Sequence, residues 1–146
     1  MRKLLLPVDS LSPARTTAAL AEAIRICRQE PTVAVHLLSV QPVYSSHVAM
    51  CFGTGELHKL EEKAGLEELA PAQALLDAAS VRYTSSVMIG HSAETIARAA
   101  REFGCDRIVM GGAASESVAP TRVFGSLAGQ VRHIMEGSAD CQVIGA

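Results

Sequence analysis

Tryptophan is absent from this chain, and there are only two tyrosines and three phenylalanines among its 146 residues. Any interior it forms must therefore be aliphatic, built from Leu, Val, Ile and Ala. A basic surplus is also missing: 13 Lys and Arg stand against 15 Asp and Glu, a formal net charge of −2. With no basic stretch interleaved by aromatics either, the chain does not fit a protein that binds nucleic acid by neutralising phosphates. Long apolar runs are lacking too. The amino-terminal run through Leu4-Leu5-Leu6-Pro7-Val8 stops at Asp9, short of a secretory core, and no stretch approaches the ~20 residues of a membrane span. Cys27, Cys51, Cys105 and Cys141 form no C-x-x-C pair and each stands as a small hydrophobe, so free thiols and a cytoplasmic setting are expected. Neither a G-x-S-x-G elbow nor a G-x4-G-K-[S/T] loop occurs.

What is present is a chain that is 49% hydrophobic and 19% charged, a balance that favours a packed globule, and a length that suits one domain over residues 1–146. Short apolar runs alternate with helical patterns, the signature of βαβ units around a parallel sheet. Lys3 to Val8 and Val33 to Val40 read as strands buried on both faces. Ser12-Pro13 reads as a helix cap and first helical residue, followed by Leu20, Ile24 and Cys27 at helical spacing. Arg82 to Ile89 alternates with polar residues, as an edge strand does. Ser92 is expected to cap a helix with an apolar face at Ile96, Ala99, Ala100 and Phe103, stopped by Gly104. Asp106 to Met110 gives a fourth strand, Ser126 to Glu136 a last helix, and Cys141 to Ile144 a fifth strand.

Two stretches break the rhythm. Gln41 to Gly55 is rich in Pro, Tyr, Ser, His, Gly and Thr and reads as a long, mobile loop. Between Glu56 and Ala79 the helical stripe reads as changing phase: Leu57, Leu60 and Ala64 make one face, and Leu69, Ala72, Leu76 and Ala79 another. Gly65 and Pro71 lie around the shift, which predicts a kink or two shorter helices.

In an open parallel sheet, ligands bind where loops leave the carboxyl ends of the strands at the reversal of strand order. That directs attention to Asp9, the Val40-Gln41 junction, Gly90-His91, and the segment from Met110 to Ser126. In the last, Gly111 and Gly112 follow a strand and Gly125-Ser126 open a helix, offering free N–H groups and a positive dipole end to an anion such as phosphate. A plain connection with Ser126 as a helix cap fits these residues equally well. Asp9 likewise reads either as a ligand contact or as a turn residue ahead of the first helix.

These segments, with the opening Leu6-Pro7-Val8-Asp9-Ser10, the run Cys105-Asp106-Arg107-Ile108-Val109-Met110-Gly111 and the closing Asp140-Cys141-Gln142-Val143-Ile144, resemble the universal stress protein family over essentially the whole chain. The resemblance implies a three-layer α/β sandwich with a five-stranded parallel sheet in the order 3-2-1-4-5. It implies a stress-response or signalling module binding ATP or another adenine nucleotide. Pro7, Val8 and Asp9 would line the adenosine pocket, Val40 would offer backbone groups to adenine, Met110 and Gly111 would close over the ribose and α-phosphate, and Gly112 would be a further nucleotide-binding residue. Gly125, Ser126 and Leu127 would cradle the phosphates. It also implies a homodimer through Cys141 to Ile144, whose Gln142 replaces a proline common in relatives and so adds an N–H for pairing.

Nucleotide-binding relatives carry G-x2-G-x9-G-[S/T], and here either register lacks the second glycine. Counted from Gly111 it is Ala114, and counted back from Gly125 it is Ser115. If that position needs positive φ, a side chain there is strained by roughly 1 kcal/mol or more. Two alternatives therefore stand beside nucleotide binding: a ligand-free dimeric interaction protein of the same family, and a weak ATP hydrolase for which no base can be named beyond Asp9. No catalytic residue is nominated. His47, Cys51 and His58 match no standard zinc spacing, so no metal is expected. His36 reads as a core or interstrand residue, His91 as a loop histidine and His133 as polar-face. Glu56, Glu61, Glu62, Glu67 and Glu68 read with Lys59 and Lys63 as a solvated face. Ile89-Gly90 stands where a phosphorelay receiver needs an aspartate, which excludes that function.

Overall fold

The structure is a computed structural model that describes residues 3–8, 13–41, 54–110, 127–135 and 141–144, and the structural statements below concern these. Strands and helices alternate along the chain: β1 (Lys3–Val8), α1 (Pro13–Gln29), β2 (Ala34–Gln41), α2 (Thr54–Ala78), β3 (Tyr83–Ile89), α3 (Ser92–Glu102), β4 (Arg107–Val109), α4 (Leu127–Ile134) and β5 (Gln142–Ile144). Every strand pair is parallel, and the sheet runs β3-β2-β1-β4-β5, the order expected.

The central strand shows why the apolar run at the amino terminus had to be buried on both faces. Leu4, Leu5 and Leu6 are all 0% exposed. Alternation sends Leu4 and Leu6 into one core with Leu20, Ala23 and Ile26 of α1 and Leu69, Ala72 and Leu76 of α2. Leu5 goes to the other, with Ile96 and Ala100 of α3 and Val131 of α4. At about 1.5–3 kcal/mol per fully buried leucine, three consecutive residues bind all three layers together.

α2 departs from expectation. It is one helix from Thr54 to Ala78 with Pro71 inside it, rather than two. Its buried face does not change phase: Glu61, Gly65, Leu69, Ala72 and Leu76 form a single stripe, while Leu60 is 46% exposed. Apolarity misleads here because the first half of the face is occupied by a glutamate and a glycine. Gly65 is required by proximity, since a Cβ there would lie 2.5 Å from both γ-carbons of Val87 on β3. The acidic residues of α2 are consequently not one solvated face: Glu61 is buried at 4% exposure, and Glu68 is engaged by Gln41.

Helix ends elsewhere follow local chemistry. Gly104 adopts φ +65°, its N–H reaches the Arg101 carbonyl and that of Cys105 reaches the Ala100 carbonyl, the double-bonded stop of a Schellman motif. Ser92 does not cap α3, contrary to expectation; it is the first helical residue, and His91 is the cap in extended conformation without a side-chain bond. The end of α1 is tied to β4 by Arg107, whose two guanidinium nitrogens donate to the Glu30 carboxylate at 3.0 and 3.3 Å.

His36 lies between strands, as its place in an apolar run suggested. Its Nδ1 is 2.6 Å from Thr84 Oγ1 and its Nε2 is 2.8 Å from Ser86 Oγ, both on β3, and its ring centroid lies 4.2 Å from that of Phe103. Hydroxyls can donate or accept, so either tautomer is satisfied. Burial first, and the nearby Lys3 charge second, hold the imidazolium below its ordinary 6.5. Because the unfolded chain takes up a proton at higher pH than the folded one, His36 leaves stability intact above about pH 6.5 and lowers it as pH falls toward the depressed folded value. We expect urea midpoints to fall between pH 7 and 5.5, and His36→Gln to flatten that fall. An unchanged slope in the variant would assign the pH dependence to other groups.

Candidate functional site

Strand order reverses at β1, with β2 on one side and β4 on the other. Consecutive connections therefore leave β1 and β4 in opposite directions and open a crevice at their carboxyl ends. Pro7 shapes it. Lys3 accepts from Asp106 N–H, so alternation directs Lys3, Leu5 and Pro7 toward β4. β1–β4 pairing runs Leu4↔Arg107 and Leu5↔Ile108. The next rung would need an N–H from residue 7 to the Val109 carbonyl, and proline has none. The ladder stops there although both strands continue, so hydrogen bonding between β1 and β4 ends one rung early.

Val8 and Val40, at the ends of β1 and β2, are half-buried in a sheet whose centre is wholly covered, and Met110 beyond β4 is 8% exposed. Val8 packs on the α1/α2 core, whereas Val40 and Met110 pack on the α3/α4 core. Val35 N–H bonds to Arg82 O and Gln41 O accepts from Gly90 N–H, so odd residues of β2 bond toward β3 and Val40 turns its N–H and C=O toward β1. Since Val8 pairs with Ser39, β1 ends just short of the level of Val40. The Val40 carbonyl thus points past the last residue of β1, beside the crevice.

A polar knot supports this rim. Gln41 Nε2 donates to Ser39 Oγ and to Glu68 Oε2, each at 2.9 Å, with Ser39 0% and Gln41 5% exposed. Gln41 belongs to β2 rather than to the loop expected to begin there, and Thr54 and Gly55 belong to α2. The signal for this knot in the sequence is the pair of polar residues, Ser39 and Gln41, at the carboxyl end of an otherwise apolar strand, which must find partners when buried.

Of the residues singled out from the sequence, Pro7, Val8, Val40 and Met110 lie at the carboxyl ends of the adjacent strands β1, β2 and β4, and Leu127 begins α4. Asp9, Gly111, Gly112, Gly125 and Ser126 lie outside the described residues, as do Ala114, Ser115, His47 and Cys51. Among the described residues no group of three or more His, Cys, Asp or Glu could hold a metal ion. Cys105 offers no nucleophile: burial raises its thiol to about 11, and burial likewise raises Cys27 and Cys141. No described helix is long and apolar enough to cross a membrane.

A sequence profile of the universal stress protein family matches residues 1–139. Among curated proteins, none matches the sequence. Solved structures of low identity share the fold. Universal stress protein UspA from Lactobacillus plantarum is 24% identical, with 98% of this chain and 95% of that one covered at a TM-score of 0.70. A universal stress protein family protein from Arabidopsis thaliana with AMP bound is 16% identical, covering 99% and 90% at 0.63. A universal stress protein in complex with cAMP is 13% identical, covering 98% and 96% at 0.67.

Proposed function

Because the chain belongs to the universal stress protein family, we propose that it is a stress-response or signalling module that binds ATP or another adenine nucleotide in the β1/β4 crevice. The observation that carries this reading is the early end of β1–β4 pairing at Pro7, beside the half-buried Val8 and Val40 and the Val40 carbonyl directed past the last residue of β1. A flat, mostly apolar base with a few edge hydrogen bonds fits such a rim. Relatives holding AMP and cAMP add support for the ligand class.

In this reading Pro7, Val8 and Val40 hold adenosine, with Asp9 near the ribose or base. Met110 and Gly111 close over the ribose and α-phosphate, Gly112 is a further nucleotide-binding residue, and Gly125, Ser126 and Leu127 receive the phosphates. Bound nucleotide supplies negative charge that those backbone amides meet. No residue is assigned to catalysis, and the protein acts in the cytoplasm by binding rather than turnover. The residues of β5, Gln142–Ile144, would pair with those of a second copy, giving a homodimer.

Ala114 or Ser115 at the second motif glycine favours one other reading, a dimeric interaction protein of the same family without nucleotide. One experiment separates them: chromatography of nucleotide released from freshly purified, heat-denatured protein, then titration with ATP, AMP and cAMP. Stoichiometric adenine nucleotide, or saturable binding that Gly125→Trp weakens at least about tenfold without loss of helical circular dichroism, supports the first reading. No released nucleotide and no binding at millimolar ligand leaves the second.

A further inference from the structure

The two edges of the sheet are unequal. β5 is three residues long, whereas β3, Tyr83–Ile89, is seven, and among the described residues no strand pairs with its outer side. The hydrogen bonds flanking β3 settle which backbone groups face outward. The Arg82 carbonyl accepts from Val35 at 3.1 Å and Gly90 N–H donates to Gln41 at 3.1 Å, so even-numbered residues bond toward β2. Tyr83, Ser85, Val87 and Ile89 direct their N–H and C=O groups away from the sheet.

Edges of this length are ordinarily guarded by charge, proline or a bulge. β3 has none: its sequence YTSSVMI carries no charged residue and no proline, and its register with β2 is unbroken from Tyr83 to Ile89. Beside it runs a groove of about 290 Å³ lined by Glu62, Leu66 and Leu69 of α2 and by Ser85, Val87 and Ile89 of β3. Leu66 is 52% exposed along that groove, and Glu62 is exposed at its margin.

We propose that the β3 edge is a docking site for an extended segment of a partner protein, one that adds as a strand and carries alternating apolar side chains with at least one lysine or arginine. The outward backbone groups of Tyr83, Ser85, Val87 and Ile89 supply the hydrogen bonds. The apolar side chains enter the groove against Leu66 and Val87, and the basic residue meets Glu62. Charge selects this occupant over a second copy of the chain. Glu62 stands exposed at the margin of a groove whose lining holds no basic residue, and two-fold pairing of β3 with itself would set two such acidic margins side by side on one face of the joined sheet.

The probe is a blocked octapeptide alternating valine with lysine and threonine, titrated by fluorescence anisotropy against the whole chain. A twin with alternate backbone amides methylated keeps every side chain but cannot pair as a strand. We expect the twin to bind at least about tenfold more weakly. Ser85→Pro should weaken the unmethylated peptide to a similar extent, since it deletes an outward N–H while the bonds to β2 come from even-numbered residues. Glu62→Lys, which leaves the backbone untouched, should weaken it several-fold, with the loss shrinking in high salt. Equal binding of the methylated and unmethylated peptides, or no binding of either, overturns the proposal. So does a homodimer, seen by light scattering, that Ser85→Pro dissociates, because the edge would then belong to a second copy. If Ser85→Pro fails to fold, the methylated peptide and Glu62→Lys still decide the matter.

Discussion

Gly90→Ala is expected to destabilise the domain by about 2–4 kcal/mol, the larger of two glycine effects that this sheet makes measurable. Gly90 follows β3 and sits at φ +153°, a region that side-chain-bearing residues hold only under strain of about 1–3 kcal/mol. Its N–H is committed to the Gln41 carbonyl, so the backbone cannot rotate away without losing that bond. An added Cβ would also fall inside van der Waals contact with Thr95 Oγ1, and Thr95 is itself 3% exposed, without room to withdraw. The two terms can be parted. Thr95→Ala in the Gly90→Ala background removes the clash but not the torsional cost, so urea unfolding should show partial recovery. Full recovery would mean that torsion costs little at this position, and no loss in Gly90→Ala itself would remove the argument.

The order of elements and the parallel sheet were legible because they rest on periodicities that packing does not overrule. Leu4-Leu5-Leu6 can only be a strand covered on both faces, and Ile96, Ala99 and Ala100 are spaced for a helix with one buried side, which they have. Gly104 announced its own positive φ. Strand order was not readable from spacing; it came from resemblance, and the pairing register bears it out.

What escaped the sequence was set by partners distant in the chain. The buried stripe of α2 was misread because hydrophobicity marked Leu57, Leu60 and Ala64, whereas the stripe includes Glu61 and Gly65. A glycine on a helix face carries no hydrophobic signal, and only Val87, twenty-two positions on, explains it. Ser92 was a poor guide for the same kind of reason: capping residues are common near helix starts, but which one serves depends on where the chain leaves the preceding strand. At the crevice, Pro7 was noted for its place in a family resemblance. Its physical role, as the missing donor that ends the β1–β4 ladder, depends on which side of β1 it faces, and that requires the register. The knot of Ser39, Gln41 and Glu68 is another such case, since Glu68 lies twenty-seven residues from Gln41 and stands beside the charged Glu67.

Gly65→Ala provides the second large effect, and its sign is a contest. Alanine should favour α2 by about 0.5–1 kcal/mol over glycine in a helix interior. Against this, its methyl would lie 2.5 Å from both γ-carbons and 3.1 Å from Cβ of Val87. A flexible side chain could swing clear, but Val87 is β-branched: rotation replaces one γ-carbon with the other, and its backbone is held in register with Ser39. Relief then requires α2 to lift from the sheet, loosening Leu69, which is 0% exposed one turn on. Overpacking of this kind costs about 1–3 kcal/mol, so the clash should win by roughly 1–2 kcal/mol. Val87→Ala alone should also destabilise, by loss of buried methyls. Combined with Gly65→Ala it should recover most of the loss, because here the whole penalty is steric. A double-mutant cycle from urea unfolding reads the coupling directly. Strictly additive losses would mean that α2 and β3 are not in contact at Gly65, and the continuous buried stripe through Glu61, Gly65 and Leu69 would have to be abandoned.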